Sequence, residues 1–360
     1  MNINEIVSNG FSINDIERKF SSFAFISLKT ALNSFFSTYK SSTLFIHSIL
    51  NGGTSNINEV DRQYATDYIE HYAETIIHFQ HFIELVCKEI LREKNELLVL
   101  NIDRQHEIFY KLLNNEEVTS LELEGIRTIE FNTTYERLFN LIKAGKLDSK
   151  YNFFATQKNK DALNKLNTLR NRIWHRGTFV LRYEALDVFI GKFILPIINE
   201  IISLPEFMSL KSSWSYKPLT LGIDPLSEII IECSKDSYNA GKVAFIKELG
   251  RAAYNNPLHF KFKFFNDEII KHSLNTAEAE LNAYHSQATA IYDCPVCGVK
   301  SLTSYEDSDG EQESDGSYSS YWTFSWYIKC HCCSFKISRE LKNPKEYGYD
   351  LPDYWYSYDH

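Results

Sequence analysis

The placement of cysteine constrains this chain more than any other feature. Of seven cysteines in 360 residues, five (Cys294, Cys297, Cys330, Cys332 and Cys333) fall within the last 67 positions. Cys294-Pro295-Val296-Cys297-Gly298 sets two thiols three positions apart ahead of a glycine, the knuckle arrangement that turns backbone amides toward sulfur. After 32 intervening residues, Cys330-His331-Cys332-Cys333 offers a second pair through Cys330 and Cys333. The two pairs predict a small β zinc ribbon holding one structural Zn2+ per chain on Cys294, Cys297, Cys330 and Cys333. Cys332 is the alternative fourth ligand, and His331 is expected to face solvent. Four protein ligands leave no open position for water or substrate, so the ion is expected to hold the module together. An odd cysteine count suits a metal site in a reducing cytoplasm better than a disulfide framework. Cys87 and Cys233, standing alone, are expected as buried small hydrophobes.

Upstream of the ribbon, apolar residues recur with helical period. Residues 1–50 read as amphipathic helices with apolar positions at Phe20, Phe23, Ile26, Leu28, Leu32, Phe35 and Phe36, stopping at Asn51-Gly52-Gly53. A long helix is predicted over 59–93 from the stripe Tyr68, Tyr72, Ile76, Phe79, Ile83, Val86 and Ile90. Further helical patterns occupy 101–114, 123–145, 158–176, 183–204, 225–254 and 265–288, with 206–224 as a connector. The expected fold is mainly α: an up-and-down helical bundle with helical extensions, followed by the ribbon. The expected division is a helical extension at 1–55, a helical domain at 56–205, a helical connector at 206–288 and the ribbon at 289–360.

Charge is distributed unevenly. The net charge of −9 includes six acids between Tyr305 and Ser320 and no base there, so the remainder carries −3. This acidic stretch is expected as a solvated insertion between the knuckles, or as a segment that repels or mimics RNA. From Lys143 to Arg182, ten bases stand against Asp148 and Asp161. That segment, at +8, keeps nucleic acid open as a partner despite the acidic total. No apolar run is long enough to span a membrane, and the polar start (Asn2, Asn4, Glu5, Asn9) is not a signal peptide, so a cytoplasmic protein without a membrane partner is expected. The run Tyr321 to Ile328 predicts a β-hairpin whose aromatic rings either pack the ribbon or offer stacking platforms to unpaired bases. The aromatic tail (Tyr347, Tyr349, Tyr354, Trp355, Tyr356, Tyr358) is expected to pack on the ribbon or on a partner.

The basic segment contains LNKLNTLRNRIWHRG, Leu163 to Gly177. Leu163, Leu166, Leu169 and Ile173 have helical spacing, and Gly177 is a C-terminal stop. Asn171 and His175, four apart, share one face, while Arg170 lies about 140° round from His175 on an ideal helix. Arg170-Asn171-Arg172-Ile173-Trp174-His175 resembles the R-N-x-x-x-H motif of the HEPN superfamily. Phe79-Gln80-His81-Phe82-Ile83-Glu84-Leu85-Val86-Cys87-Lys88 looks like that family's first core helix, with Glu84 and Lys88 as supporting residues. The resemblance covers about residues 60–205.

The resemblance implies an all-helical, metal-independent endoribonuclease with Arg170, Asn171 and His175 as catalytic residues. It also implies a homodimer, products with 2′,3′-cyclic phosphate and 5′-hydroxyl ends, and a place in prokaryotic antiviral or abortive-infection defence, as a toxin with an antitoxin or defence-system partner. Lys158, Lys160, Lys165, Arg172 and Arg176 are the candidate RNA-binding bases. Independently of the family, imidazole suits both proton steps of RNA cleavage and guanidinium suits the non-bridging oxygens. One departure stands out: toxins paired with a nucleotidyltransferase carry a Tyr two residues after the His, where this chain has Gly177, which argues against control by nucleotidylation. Arg170 and His175 as ordinary surface residues, Glu84 and Lys88 as an ion pair on a solvated face, and a catalytically inactive nucleic-acid-binding or protein-assembly module are the competing readings.

Overall fold

Helical periodicity and turn chemistry carry directly into the elements. The computed structural model describes residues 2–3, 9, 22–51, 66–101, 106–114, 116–119, 122, 126–258, 263–312 and 318–359. The helices are α1 (Ser22–Ser37), α2 (Thr43–Leu50), α3 (Thr66–Arg92), α4 (His106–Leu113), α5 (Phe131–Lys143), α6 (Gln157–Arg176), α7 (Tyr183–Phe189), α8 (Leu195–Ile202), α9 (Lys211–Trp214), α10 (Pro225–Cys233), α11 (Ala240–Tyr254) and α12 (Lys263–Asn282). The strands are β1 (Ala288–Tyr292), β2 (Leu302–Gln312), β3 (Tyr318–Cys330), β4 (Lys336–Ser338) and β5 (Ser357–Asp359), and all their pairings are antiparallel. They form one sheet in the order β1-β2-β3-β4, with β5 also on β3. The chain is therefore mainly α with a small C-terminal β region. Among the described residues, no helix is long and apolar enough to cross a membrane.

The described residues fall into two compact units, one drawn from 1–31, 73–179 and 196–214, the other from 32–72, 180–195 and 215–360. In the first, Phe79, Phe82, Ile83, Val86 and Ile90 of α3 are buried, as are Tyr135, Leu138 and Ile142 of α5 and Leu163, Leu166 and Leu169 of α6. The Tyr135 hydroxyl donates to the Phe154 carbonyl at 2.6 Å, which satisfies its one polar atom inside that core. The whole predicted α3 stripe is buried, and so are Cys87 and Cys233.

The second unit is built around α11, whose residues are buried on every side except at Lys242 and the terminal Tyr254. The segment read as a connector thus supplies the most enclosed helix. Its apolar residues pack as a buried helix requires. Its charged residues Lys247, Glu248 and Arg251 are buried as well, and each has a partner.

Several elements differ from the sequence expectation, each for a local reason. Phe23 and Ile26 are exposed, and Phe25, next to them, is buried against Phe82 and Phe207; Phe20 lies outside the described residues. Helix α5 starts at Phe131 because the preceding backbone is extended and bridged, Asn101 N–H to Arg127 at 2.8 Å and Ile129 N–H to Val99 at 2.9 Å. The 225–254 pattern breaks after Cys233 into two helices, the first capped by Asp224, which accepts from Ser227 N–H, and the second by Asn239, which accepts from Lys242 N–H. The 183–204 pattern widens into one π-helical turn at Ile190–Ile194. The acidic stretch is not an insertion. Glu306 to Glu311 form the outer half of β2, paired with Ser325 to Ser320 of the aromatic β3; Glu313 and Asp315 lie outside the described residues. Aromatic and hydroxyl residues across the ladder give the acidic strand a partner, while Asp307, Asp309 and Glu311 stay in water.

Gly250 lies in the interior of α11, where alanine would be the better helix former. A Cβ at that position would lie 2.5 Å from the Phe36 ring. We expect Gly250→Ala to lower stability by about 1–3 kcal/mol through overpacking, read as a lower urea midpoint with an unchanged slope. An equal or higher midpoint would mean that Phe36 moves aside without cost.

Candidate functional site

The four cysteines come together. Sγ atoms of Cys294, Cys297, Cys330 and Cys333 all lie within 4.8 Å of one another, with Cys294 to Cys333 at 3.5 Å and Cys297 to Cys330 at 3.7 Å. A tetrahedral ion bound at about 2.3 Å sets its sulfurs about 3.8 Å apart, so this donor set fits one metal ion. Cys333, not Cys332, completes it. The backbone explains why: Gly298 at φ +76° and Ser334 at φ +61° each follow the second cysteine of a pair, and both turn back in the left-handed region. Gly298 is doubly required, because a Cβ there would stand 2.8 Å from Thr220 Oγ1. Thr220 and Leu221, in the stretch read as a connector, donate to the Val296 and Pro295 carbonyls at 3.1 and 2.8 Å and so brace the first knuckle. The Ser301 hydroxyl and Cys332 N–H approach Cys330 Sγ, each at 3.4 Å.

His331 does not face solvent. Its side chain is 5% exposed, with Nε2 3.5 Å from a Glu280 carboxylate oxygen and 3.3 Å from the Tyr305 hydroxyl. The knuckle packs on α12, which carries Glu280. The aromatic tail packs on the ribbon: Ser325 N–H and hydroxyl bond the Tyr356 and Tyr354 carbonyls at 3.1 and 2.7 Å, and Tyr354 is fully buried.

The basic helix α6 ends as expected. Thr156 caps its start by accepting from Asn159 N–H at 3.2 Å, and Gly177, at φ +61°, closes it with N–H bonds to Arg172 and Ile173. Arg170 donates to Asn171 Oδ1 at 3.0 Å and stacks over the Trp174 ring at 5.4 Å. Its buried Nε has no hydrogen-bond partner among the described residues. His175, Arg172 and Arg176 are exposed, Trp174 is 63% exposed, and Arg172 lies over Phe179 at 4.8 Å. Lys158 and Lys165 are exposed farther along the helix, and Lys160 lies over the Phe139 ring at 4.4 Å. The structure therefore joins Arg170 with Asn171 and leaves His175 apart in solvent.

Glu84 and Lys88 form their ion pair at 2.7 Å, but not on a solvated face, since their side chains are 19% and 9% exposed. Gln80 donates to Glu84 at 2.9 Å and Lys88 to Thr128 at 3.0 Å, which completes a polar chain along α3. His81, beside it, has Nδ1 2.8 Å from the Ser27 hydroxyl. Partial burial pulls its pKa below the ordinary imidazole value; Glu84 opposes this, and His78, Lys88 and Arg170 reinforce it. Arg170 thus belongs electrostatically to this cluster. Sequence reasoning did not single out Gln80, His81 or Ser27; the four-residue spacing of Gln80, Glu84 and Lys88 was the available sign of a polar stripe on α3.

No protein-family model, curated protein or solved structure matches the chain.

Proposed function

We propose that the chain is a metal-independent endoribonuclease of HEPN type, acting as a homodimer, with Zn2+ on the four ribbon cysteines as a structural ion. The observation that carries the reading is the end of α6: the Arg170–Asn171 pair, exposed His175, and Arg172 and Arg176 without a carboxylate partner among the described residues. That surface suits a phosphate backbone, and Trp174 beside it suits a base. Zinc is favoured by four thiolates in a closed set, and its chemistry there is confined to holding the fold.

In this reading the ribose 2′-hydroxyl loses its proton to one imidazole as its oxygen attacks phosphorus. The 5′-oxygen leaves with a proton from a second imidazole, which yields a 2′,3′-cyclic phosphate and a 5′-hydroxyl. Arg170 stabilises the charge that builds on the non-bridging oxygens, and Asn171 fixes its guanidinium. Because Arg170 and His175 diverge on one helix, two copies of α6 supply the two histidines and two arginines. The defence role and an antitoxin or other defence partner belong to the same proposal.

In buffer freed of divalent ions, we expect His175→Ala and Arg170→Ala each to lose at least roughly 100-fold in cleavage of single-stranded RNA with helix content unchanged. Cleavage at the wild-type rate by both variants, or a strict need for added magnesium, would overturn the assignment. A second reading, a phosphate-binding module without catalysis, is favoured by Arg170 being engaged with Asn171 and Trp174 inside one chain; RNA binding with no cleavage by the wild type would select it.

A further inference from the structure

A cleft of about 1030 Å³ opens in the second unit, independent of α6 and of the ribonuclease reading. Its walls come from the turn after α1 (Tyr39, Lys40), from α2, from α11 and from the ribbon. Six bases line it against three acids, Glu248, Asp307 and Glu340. The acid at its base is already matched. Glu248, fully buried, accepts from Arg251 Nε and Nη2 at 2.6 Å each, from the Tyr39 hydroxyl at 2.5 Å and from Lys336 N–H at 2.6 Å. Arg251 in turn holds Ser334, donating to its carbonyl at 2.5 Å and its hydroxyl at 3.3 Å. This buried network is rigid and fixes the chain that leaves the second knuckle. The remaining bases, Lys40, Lys329, Lys336, Arg339 and Lys342, have no carboxylate at ion-pair distance among the described residues.

Aromatic rings share the same wall. Tyr305 pairs with Tyr327 and Glu306 with Ser325, so Trp326 is an extra residue in β3, a bulge. The bulge breaks the alternation and lets Phe324, Trp326 and Tyr327 all line the cleft. Tyr327 is covered on its faces by Tyr305, stacked at 4.3 Å, and by Lys336 at 4.8 Å, and Arg339 lies over Phe324 at 5.3 Å. Trp326 is 36% exposed and meets Tyr327 edge-on at 4.1 Å, leaving indole surface open to the cleft. At the lip, Lys342 holds a left-handed φ of +60° that a non-glycine residue rarely adopts.

We infer that this cleft binds a nucleoside di- or triphosphate, with the base on Trp326 and the phosphates among Lys329, Lys336, Arg339, Lys40 and Lys342. A surplus of cations asks for several negative charges close together, and an open indole asks for a flat π-system. Inorganic phosphate satisfies only the first demand. The volume is that of a small-molecule site.

Titration calorimetry of the full chain with ATP, GTP, CTP and UTP tests this. We expect saturable binding of at least one nucleotide, weakened roughly tenfold or more by Lys336→Ala and by Arg339→Ala, each of which removes one charge-assisted contact. Trp326→Ala should weaken it as well, and exposed Lys300→Ala, outside the cleft, should change it less than twofold. Retention of one metal ion per chain and wild-type circular dichroism would show that the variants fold. Absence of saturable binding by every nucleotide would overturn the proposal. So would inorganic triphosphate binding as tightly as the best nucleotide with Trp326→Ala without effect, or a single-stranded 12-nucleotide RNA binding through these residues where mononucleotides do not.

Discussion

Replacing Cys294 and Cys297 together by serine should remove one equivalent of bound zinc per chain and unfold the C-terminal sheet. Structural zinc on thiolates contributes roughly 10–16 kcal/mol of binding free energy, far more than a few dozen residues of β ribbon gain from their own core. The turns themselves are weakly held: the Cys294 and Cys330 N–H groups bond to Val299 and Phe335 of their own turns, Ser334 sits in a left-handed conformation, and the braces from Thr220, Leu221 and Arg251 engage only knuckles already formed. Limited proteolysis should then cut beyond Asp293 while segments 73–92 and 131–176 stay protected. Zinc absent from freshly purified wild-type protein, with the sheet intact, would show that the thiols hold no zinc.

The second large effect lies in the helical part of the same unit. The Lys247 ammonium is fully buried, paired with Asp187, bonded to the Thr38 hydroxyl at 2.8 Å and flanked by the rings of Phe35 and Tyr183 at 4.2 and 4.5 Å. Burial drives the Asp187 pKa up and the Lys247 pKa down, and their mutual attraction opposes both shifts. Asp187→Ala leaves an ammonium in an apolar core with one hydroxyl for a partner. We expect a loss of about 3–5 kcal/mol in urea unfolding. Exchanging both partners for apolar side chains, Asp187→Leu with Lys247→Met, should recover most of it, since no charge then remains to be buried. A loss under about 1 kcal/mol for the single variant would mean that water reaches Lys247.

Much of the framework was legible because its causes are local. The α3 stripe from Tyr68 to Ile90 is buried at every predicted position, since a helix of fixed pitch can turn only one face inward. The end of α6 at Gly177 and the pairing of four cysteines were likewise readable from spacing. The exposure of Phe23 and Ile26 was not, because Phe25 competes with them for the same core and only the packing partners Phe82 and Phe207 decide between the two registers. The separation of α10 from α11 escaped for a different reason: the polar stretch Ser234 to Asn239 interrupts the apolar pattern only briefly, and the cap Asn239 reads as an ordinary polar residue.

Sequence by itself determined what short-range geometry dictates: helix periods, stop residues, the knuckle spacing of Cys294 with Cys297 and of Cys330 with Cys333, and the charge imbalance between the 143–182 and 305–320 segments. Tertiary structure alone decided which buried charges find each other. Lys247 meets Asp187 across 60 residues, Arg251 meets Ser334 across 83, and Glu248 meets Tyr39 across 209. A charge removed from water is tolerated only where a partner arrives by folding, so its site cannot be read from its own neighbours in the chain. The same holds for Trp326, which one extra residue in β3 turns toward a cleft that no periodicity announces.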